Sequence, residues 1–349
     1  MRVVVVGATG NVGTSLLRVL VEEPEVESVV GVARRLPSLD LAKTEWVAAD
    51  VMDADLVRIF RGADAVVHLA WLIQPSRDRN LLRRVNVEGS TRVFRAVAAA
   101  GVPALVYASS VGAYSPGPKD RAVDESWPRN GTPTNDYARQ KAEMERRLDR
   151  FERERPEVRV VRLRPALIFK RESATEQRRL FAGPLVPGWL LRPGVIPVLP
   201  DIPGVRFQAV HSFDVGDAYR LAVMRDVRGP FNVAAEPVLD LPAIAKLMRA
   251  RTVRLSARTA RALAALAYGA RLTPIPPSWL DMVLAVPLLN STRAREELGW
   301  TPRHSATEAM ADLLEGMREG AGLETPPLSP RTSGPARIRE FAAGVGKRP

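Results

Sequence analysis

The first residues of the chain combine an uninterrupted apolar run with regularly spaced glycines. Residues 2–6 (RVVVV) show no polar alternation, a pattern typical of a parallel strand that is covered on both faces. Gly7, Gly10 and Gly13 follow at once, and an amphipathic pattern then predicts a helix from Val12 to Val21. The sequence therefore opens with a strand, a glycine-rich turn and a helix.

Short apolar segments and helical patterns alternate along the first half of the chain. Strands are predicted at residues 28–33, 45–48, 63–69 and 104–108, and helices at 54–60, 78–100 and about 136–153. This alternation is typical of an α/β protein with a doubly wound parallel Rossmann sheet. Residues 180–204 show neither periodicity, and residues 240–320 are predicted to be mostly helical.

We expect two parts, a Rossmann domain and a smaller, mostly helical C-terminal substrate lobe. The Rossmann domain is predicted to comprise residues 1–165 together with 206–235, and the substrate lobe 166–205 and 236–320. From Thr325 onward the chain is rich in Pro, Ser, Arg and Gly, so residues 325–349 are predicted to form a flexible tail.

Composition excludes several classes of function. The chain has no cysteine, which rules out a disulfide framework, a thiol nucleophile and Cys-ligated zinc. The three histidines, His68, His211 and His304, are far apart and lack acidic neighbours at metal-ligand spacing, so no metal site is expected. His68 and His211 are instead expected in or beside the core.

The net charge of +12 over 349 residues comes mainly from arginines that are spread along many helices beside Asp and Glu. Because no clustered basic stripe with interleaved aromatic residues is present, we do not expect nucleic-acid binding. No apolar run reaches the roughly 18 residues of a membrane span, and the chain begins with its core strand rather than a signal peptide. A cytoplasmic protein is therefore expected.

The glycine-rich turn is predicted to bind the diphosphate of a dinucleotide. Gly7 permits the tight turn, Gly10 lets backbone approach a phosphate, and Gly13 lets the helix lie close to the strand. The helix N-terminus then offers free N–H groups and the positive end of its dipole. The predicted cofactor-binding residues of this turn are Gly7, Thr9, Gly10, Asn11, Val12 and Gly13.

The end of the second predicted strand indicates which cofactor is bound. An acidic residue usually stands there to accept the ribose hydroxyls of NAD, but this chain has Arg34 and Arg35 instead. Guanidinium groups pair with the 2′-phosphate of NADP through charged hydrogen bonds. We therefore predict that NADP is preferred and that NAD is the alternative; the two arginines could also simply be exposed.

A second group of residues suggests proton transfer. Tyr137 and Lys141 are spaced i, i+4 on a predicted helix, so the phenol and the ammonium lie on one face about one turn apart. A nearby ammonium is expected to lower the pKa of the phenol, which allows it to exchange a proton with a substrate oxygen. Ser110, at the end of the strand 104–108, is expected to hydrogen-bond the same oxygen.

The order and spacing of these motifs resemble the extended or atypical short-chain dehydrogenase/reductase superfamily, the NAD(P)-dependent epimerase/dehydratase group. The motifs that carry the resemblance are residues 7–13, Asp50, 68–70, 86–89, 107–114, 137–141, Arg164-Pro165, 208–218, 231–233 and 291–302. The resemblance implies that Tyr137 is the catalytic acid/base, that Lys141 lowers its pKa and holds the nicotinamide ribose, and that Ser110 polarises the substrate oxygen. It also implies further cofactor contacts at Asp50, Val51, Leu69, Ala70, Asn86, Tyr137, Lys141 and Pro165.

Three departures from the family pattern bear on the substrate. Val111-Gly112 stand where dehydratases place an acidic pair, which argues against dehydration. Phe207 occupies the position of an arginine that holds the sugar diphosphate in many epimerases, with Arg206 one residue out of register. Phe169-Lys170 replace the usual Tyr-Gly after Arg164-Pro165. Each departure weakens the interpretation as a nucleotide-sugar enzyme.

The segment 180–204 is expected to be a substrate-side lid that suits an apolar or bulky carbonyl compound. The wall it would supply consists of Phe181, Trp189, Leu190 and Leu191. Two alternatives for this segment are a structural connection that packs on the sheet and a contact with a membrane surface. By the resemblance, a homodimer could form through the helices 78–100 and 136–153.

Three functional hypotheses follow. The first is an NAD(P)-dependent oxidoreductase that transfers hydride between the nicotinamide and a small, apolar alcohol or carbonyl substrate. The second is a sugar or nucleotide-sugar epimerase that holds its cofactor tightly. The third is a non-catalytic NAD(P)-binding sensor, against which the complete set of Ser110, Tyr137 and Lys141 argues.

Overall fold

The structure, a computed structural model, describes residues 1–74, 77–182, 190 and 193–333. The strands of this part are β1 (Arg2–Val6), β2 (Ser28–Ala33), β3 (Thr44–Ala48), β4 (Ala65–His68), β5 (Ala104–Ala108), β6 (Ala122–Val123), β7 (Arg159–Pro165), β8 (Leu167–Phe169), β9 (Val198–Asp201), β10 (Arg206–His211), β11 (Gly229–Val233), β12 (Ala235–Asp240), β13 (Arg251–Arg254) and β14 (Leu288–Leu289).

The helices flank these strands on both sides. They are α1 (Asn11–Glu22), α2 (Leu56–Phe60), α3 (Arg79–Arg83), α4 (Ser90–Ala99), α5 (Asp136–Glu154), α6 (Ala174–Gln177), α7 (Ser212–Met224), α8 (Leu241–Leu247), α9 (Ala257–Gly269), α10 (Ser278–Ala285), α11 (Thr292–Glu296) and α12 (Ala306–Glu319). A π-helical stretch, Arg84–Gly89, joins α3 to α4, so the long helix expected at 78–100 is present with a local widening.

The main sheet has seven parallel strands in the order β3-β2-β1-β4-β5-β7-β11. The strand order reverses between β1 and β4, which is where open α/β sheets bind ligands beyond the carboxyl ends of their strands. The doubly wound Rossmann fold predicted from the sequence is confirmed. The C-terminal portion contains the five helices α8 to α12 and is mostly helical as predicted.

A smaller sheet contains β8, β10 and β12, in which β10 runs parallel to β8 and antiparallel to β12. Residues 206–211 therefore belong to this smaller sheet, although the sequence suggested that the whole segment 206–235 returns to the Rossmann domain. The strand that does return is β11, which pairs with β7 at the edge of the main sheet.

The core consists of two apolar layers, one on each face of the main sheet. Val3 and Val5 point into the layer beneath α1 and α7, whereas Val4 and Val6 point into the layer beneath the helices on the opposite face. All four side chains are at most 1% exposed. The lack of polar alternation in β1 thus reflects burial on both faces.

The predicted C-terminal tail does not begin as a flexible segment. Thr325 and Leu328 are fully buried, and the Thr325 hydroxyl donates a hydrogen bond to the carbonyl of Thr9 at 2.9 Å. The proline-rich composition gave no sign of this burial or of the hydrogen bond that joins Thr325 to the glycine-rich turn. Residues 334–349 of the predicted tail lie outside the described residues.

A buried ion network joins α5 to β7 behind the sheet edge. Glu145 is fully buried; its carboxylate accepts from Arg164 Nε at 2.8 Å, from Arg162 at 3.0 Å and from the Ser109 hydroxyl at 2.6 Å. Burial alone would raise the pKa of Glu145, but the two guanidinium groups outweigh it and hold that pKa well below its usual range. The network fixes the helix that carries Tyr137.

Replacing Glu145 with Ala is expected to destabilise the protein by about 3–5 kcal/mol, because the buried guanidinium of Arg164 loses the carboxylate that it pairs with and that of Arg162 keeps only Asp149 and Glu152. The matched control is Glu143→Ala on the same helix, whose carboxylate is 23% exposed and pairs with the partly exposed Arg83 and Arg147. That variant should lose about 0–1 kcal/mol. Urea unfolding of both variants checks this; equal losses would show that the Glu145 network does not hold the helix.

Candidate active site

The three glycines of the turn after β1 have different neighbours. Gly7 has φ +89°, and a Cβ there would lie 2.6 Å from the backbone nitrogen of Ala70. A Cβ at Gly13 would lie 2.5 Å from the carbonyl oxygens of Gly7 and Ala8. A Cβ at Gly10 would meet only the Gly7 carbonyl, at 3.6 Å. Gly7 and Gly13 are therefore required by the protein itself, whereas Gly10 borders open space.

This turn fits the diphosphate of a dinucleotide. Gly10 is the N-cap of α1 and supplies no side chain, and the first turn of the helix has no acidic residue, so its N–H groups face outward uncompensated. The side-chain oxygen of Asn11 is buried without a hydrogen-bond partner, while its nitrogen donates to the carbonyl of Ile168 at 3.2 Å. Thr9 is buried, and Val12 and Gly13 continue the helix.

A buried cation lies behind this turn. The Lys170 ammonium donates to the hydroxyl groups of Thr14, at 2.7 Å, and Ser15, at 2.9 Å, and the residue is fully buried. Burial lowers the pKa of Lys170 to about 7, and the carboxylate of Glu172 opposes that shift. The sequence showed Lys170 only as a departure from the family pattern, and its long-range contacts with α1 could not be read from it.

The residues predicted to contact the rest of the cofactor line the same edge of the sheet. Arg34 follows β2 and lies 4.0 Å from the carboxylate of Asp50, with about half of its side chain exposed. The other predicted contacts on this edge are Arg35, which is exposed, Val51, Leu69 and Ala70. Pro165 ends β7.

Asn86 lies deeper than the other predicted cofactor contacts. Its amide accepts from the backbone nitrogen of Leu72 at 2.7 Å and donates to the carbonyl of Leu72 at 2.8 Å. It also donates to the side chain of Gln140 at 2.9 Å. Asn86 therefore links the loop after β4 to α5 and borders the cavity described below.

Ser110 and Tyr137 come together as the sequence predicts. The Ser110 hydroxyl lies close enough to the phenol of Tyr137 to lower its pKa, and it accepts from the backbone nitrogen of Gly112 at 3.0 Å. A Cβ at Gly112 would lie 2.9 Å from the ring of Tyr137, so the absence of a side chain there lets the ring approach. The two hydroxyl groups can therefore contact one substrate oxygen.

The electrostatics of Tyr137 differ from the expectation. Burial raises the pKa of its phenol, and the hydrogen bond with Ser110 only partly opposes this. Lys141 does not lower it here, because the ammonium donates to the carbonyl of Ala108 at 2.6 Å and lies 3.6 Å from the ring centroid of Trp71. Burial also lowers the pKa of Lys141 to about 7. Tyr137 is thus protonated at neutral pH.

Aromatic rings that sequence reasoning missed surround Tyr137. The Trp71 ring meets it edge-on at 5.9 Å between centroids, and the Trp279 ring lies at 5.4 Å. Phe181, one residue of the predicted substrate wall, contacts Trp279 at 5.3 Å. Trp71 directly follows Ala70, a signal that could have been used, whereas Trp279 is brought by α10 from the C-terminal lobe. Trp189 and Leu191 lie outside the described residues.

A cavity opens beside Tyr137 and Trp279. Its apolar lining comes from Leu72, Ile73, Leu82 and Pro276, and its polar lining from Asn86, Asn135, Asp136, Gln140 and Ser278. Asn135 caps α5 and donates to the carbonyl of Ser278 at 3.1 Å, so the same contact joins the two lobes and shapes the cavity. Trp71 Nε1 is buried without a hydrogen-bond partner.

The histidines lie in or beside the core. His68 and His211 are 1% and 3% exposed, and burial lowers the pKa of His68 to about 3, so it stays neutral. In the described part of the chain, no group of three or more acidic or histidine side chains is placed to hold a metal ion. Nor does that part contain a helix with the length and apolarity to cross a bilayer.

The sequence model of the NAD dependent epimerase/dehydratase family matches residues 3–192. The chain belongs to this family. The resemblance drawn from the motifs is thereby confirmed.

Two relatives of this epimerase/dehydratase chain share different parts of it. An uncharacterised protein of Mycobacterium tuberculosis is 27% identical over 328 residues, which cover 93% of this chain but 31% of that protein. The chain therefore spans about a third of the length of this relative. A putative dihydroflavonol 4-reductase of Synechocystis is 33% identical over 129 residues, which cover 35% of this chain and 36% of that protein.

Among solved structures, the UDP-glucose 4-epimerase of Thermus thermophilus in complex with NAD superposes with a TM-score of 0.67. It is 20% identical, and the alignment covers 91% of this chain and 99% of that chain. This likeness confirms the fold of the epimerase/dehydratase chain over nearly its whole length.

Gly10→Ala is expected to leave the fold intact and to weaken binding of NAD(P)H by about tenfold or more, because the new methyl group enters the space beside the helix N-terminus. Gly13→Ala is the contrasting variant: its Cβ overlaps two carbonyl oxygens and should cost about 1–3 kcal/mol of stability. Calorimetric titration and urea unfolding separate the two effects. Unchanged cofactor affinity in Gly10→Ala would contradict the assignment of the turn.

Lys170→Met should change how stability depends on pH. Keeping the Lys170 ammonium charged costs more free energy in the folded protein than in the unfolded one. This cost lowers the stability of the wild type most below pH 7, and it declines as the pH rises above 7 because the folded protein releases the proton. The stability of the variant relative to wild type should therefore fall by up to about 1.4 kcal/mol per pH unit above pH 7. Urea unfolding at several pH values measures this; the exposed lysine variant Lys246→Met should show no such trend.

Proposed function

We propose that the protein is an NADP(H)-dependent reductase of bulky, apolar carbonyl compounds, with aromatic ketones or aldehydes as the best fit. The observation that carries this proposal is the position of Tyr137 in the wall of a cavity that Trp279 also lines, with Ser110 beside the phenol and the Trp71 ring packed edge-on against Tyr137. Flat apolar substrates stack favourably against such rings.

The protonation state of the site supports reduction. Because burial raises the pKa of Tyr137, the phenol is a proton donor at neutral pH. The bound nicotinamide supplies the hydride to the carbonyl carbon. As the carbonyl π bond breaks, Ser110 donates a hydrogen bond to the developing oxyanion and Tyr137 transfers its proton to that oxygen, which gives the alcohol.

The buried ammonium of Lys141 completes this arrangement. It lies next to the strand end that carries Ser110, and Glu145, one turn further along α5, raises its pKa against the effect of burial. A positive charge there favours the phenolate that remains after proton transfer. The ammonium lies 5.8 Å from the centre of the Tyr137 ring and does not lower the phenol pKa in the free protein, so this stabilisation is proposed only for the phenolate that forms during turnover.

The preference for NADP rests on Arg34 and Arg35 at the end of β2. Both side chains are exposed, and the nearest carboxylate, that of Asp50, lies at the 4.0 Å limit of an ion pair with Arg34. Weakly paired guanidinium groups at this position are available to a 2′-phosphate. The family itself includes proteins that bind NAD, so NAD is the alternative cofactor.

A nucleotide-sugar epimerase is the second candidate. Four uncharged polar side chains line the cavity, namely Asn86, Asn135, Gln140 and Ser278, and such groups suit sugar hydroxyls. Against it, Phe207 stands where many epimerases have an arginine for the diphosphate, and the guanidinium of the neighbouring Arg206 donates to the carbonyl of Lys119 at 2.6 Å. A homodimer through α3–α4 and α5 remains a prediction from the resemblance.

Tyr137→Phe is expected to lower kcat for aromatic ketones by about 10²–10⁴-fold, because the substrate oxygen loses its proton donor. Ser110→Ala should cost about 100-fold. Cofactor affinity should stay within about twofold in both variants, since neither hydroxyl is expected to be essential for cofactor binding. NADPH oxidation with a panel of aryl ketones measures this; full activity of Tyr137→Phe would contradict its role as proton donor, and cofactor binding without turnover of any ketone by the wild type would favour a non-catalytic sensor.

The double variant Arg34→Ala/Arg35→Ala should weaken binding of NADPH by about 10–100-fold and leave binding of NADH unchanged. The matched control is Arg153→Ala, an exposed arginine on α5 far along the chain from this strand end. Calorimetric titration with both nucleotides gives the result. Equal loss for both nucleotides, or tight NAD carried through purification, would move the epimerase to first place.

A further inference from the structure

The exposed large apolar side chains are concentrated in one part of the chain. Within the described residues, Leu36 is the exception; the others fall between residues 195 and 272. They are Val195, Val198, Val253, Leu263, Leu266 and Leu272. Scattered apolar side chains are ordinary on protein surfaces, but a concentration in one segment indicates an interaction surface.

Helix α9 is the largest part of this concentration. It has 13 residues, and Ala260 is the one residue of the helix that is buried. Leu263 is 53% exposed and Leu266 is 70% exposed. Residues three apart share one face of a helix, so these two leucines form an apolar ridge that the described part of the protein leaves uncovered.

The ribbon formed by β9 and β13 presents a second apolar and basic face. In its register, Val198 pairs with Arg251, and Pro200 pairs with Val253. Side chains alternate between the two faces of a strand, so these four residues share one face, and all of them are exposed. The opposite face of β9 is half-buried, and α8 packs against the ribbon. Leu255 and Ser256 alone separate β13 from α9.

Basic residues dominate this region; the one acid of the β9–β13 ribbon, Asp201, lies opposite Arg254 in the register. Residues 241–280 contain no Asp or Glu and seven basic residues, which are Lys246, Arg249, Arg251, Arg254, Arg258, Arg261 and Arg271. Arg261 pairs with Asp281 at 2.8 Å. Arg251, Arg254, Arg258 and Arg271 form no ion pair with any carboxylate in the described residues. Elsewhere on the surface, arginines commonly pair with acids, as Arg147 does with Glu143.

We propose that the outer face of the β9–β13 ribbon and helix α9 together form a surface that docks on an anionic lipid membrane. We call it the docking surface. Exposed leucines and valines can enter the boundary between headgroups and acyl chains, and the unpaired guanidinium groups can contact lipid phosphates. A second copy of the chain is a poorer occupant, because it would place two basic surfaces against each other.

In the sequence, the docking surface is followed closely by residues that line the candidate active site. At the end of α9, the Arg77 guanidinium lies over the ring of Tyr268, 3.9 Å from its centroid. Pro276, seven residues after α9, and Trp279 line the cavity. If the proposed function is right, an apolar substrate dissolved in the membrane would be delivered near the cavity. Membrane binding itself does not depend on that function.

The test is co-flotation of the full chain with lipid vesicles, without cofactor or substrate. One set of vesicles contains phosphatidylcholine mixed with phosphatidylglycerol, and the other contains phosphatidylcholine alone. We expect binding to the anionic vesicles only, and binding that weakens as salt is added, because the guanidinium–phosphate attraction is screened.

Two pairs of variants test which side chains are responsible. Leu263→Ser/Leu266→Ser should reduce vesicle binding by about tenfold or more, whereas Leu36→Ser, which removes an equally exposed leucine elsewhere, should not. Arg251→Gln/Arg258→Gln should reduce it by about fivefold per arginine, whereas Arg153→Gln should not. Because all these side chains are exposed, the variants should unfold at the same temperature as wild type.

Equal binding to neutral and anionic vesicles, no binding to either, or unchanged binding of Leu263→Ser/Leu266→Ser would each overturn the proposal. Light scattering supplies a further check. A wild-type dimer that the same leucine variant dissociates would show that the face joins two copies of the chain, and would also overturn membrane docking. Reductase activity with soluble ketones can be measured in parallel, so failure of docking and failure of the proposed function are distinguishable.

Discussion

The close approach of backbone to backbone at the end of β1 is the constraint on which the rest of the structure depends. Gly7 leaves room for the chain after β4, since a Cβ on Gly7 would lie 2.6 Å from the backbone nitrogen of Ala70. Gly13 lets α1 pack against the carbonyls of Gly7 and Ala8, since a Cβ on Gly13 would lie 2.5 Å from both carbonyl oxygens. These contacts fix where α1 begins. The helix N-terminus is thereby aimed into the crevice at which the strand order reverses.

Buried charge is the second feature that organises the site. Glu145 anchors α5 to β7 through Arg162 and Arg164, and this holds Tyr137 and Lys141 on a rigid helix. Lys170 supports the first turn of α1, because its ammonium donates hydrogen bonds to the hydroxyl groups of Thr14 and Ser15. Burying these charged groups costs desolvation free energy. In return, each group joins elements that are far apart in sequence and that meet behind the glycine-rich turn or the proton-transfer residues.

The sequence supplied those parts of the site that depend on local spacing. The glycine-rich turn, the Ser110 strand end and the Tyr137–Lys141 pair follow from neighbouring residues, and the parallel sheet follows from apolar strands between helices. Long-range packing was not accessible in this way. Trp279 reaches Tyr137 from the C-terminal lobe, Thr325 reaches the carbonyl of Thr9, and β10 pairs outside the main sheet. The pKa of Tyr137 was expected to be lowered because spacing shows Lys141 but not the burial around the phenol.

The proposed reaction is the reduction of an aromatic carbonyl compound by NADPH, in which Ser110 and Tyr137 bind and protonate the carbonyl oxygen. The most direct measurement uses NADPH that carries deuterium at C4 of the nicotinamide, mixed with the enzyme and a panel of aryl ketones, followed by mass spectrometry of the products. The account predicts alcohols with deuterium on the carbinol carbon. Absence of label from every ketone, together with interconversion of nucleotide sugars without net change in the cofactor, would contradict it.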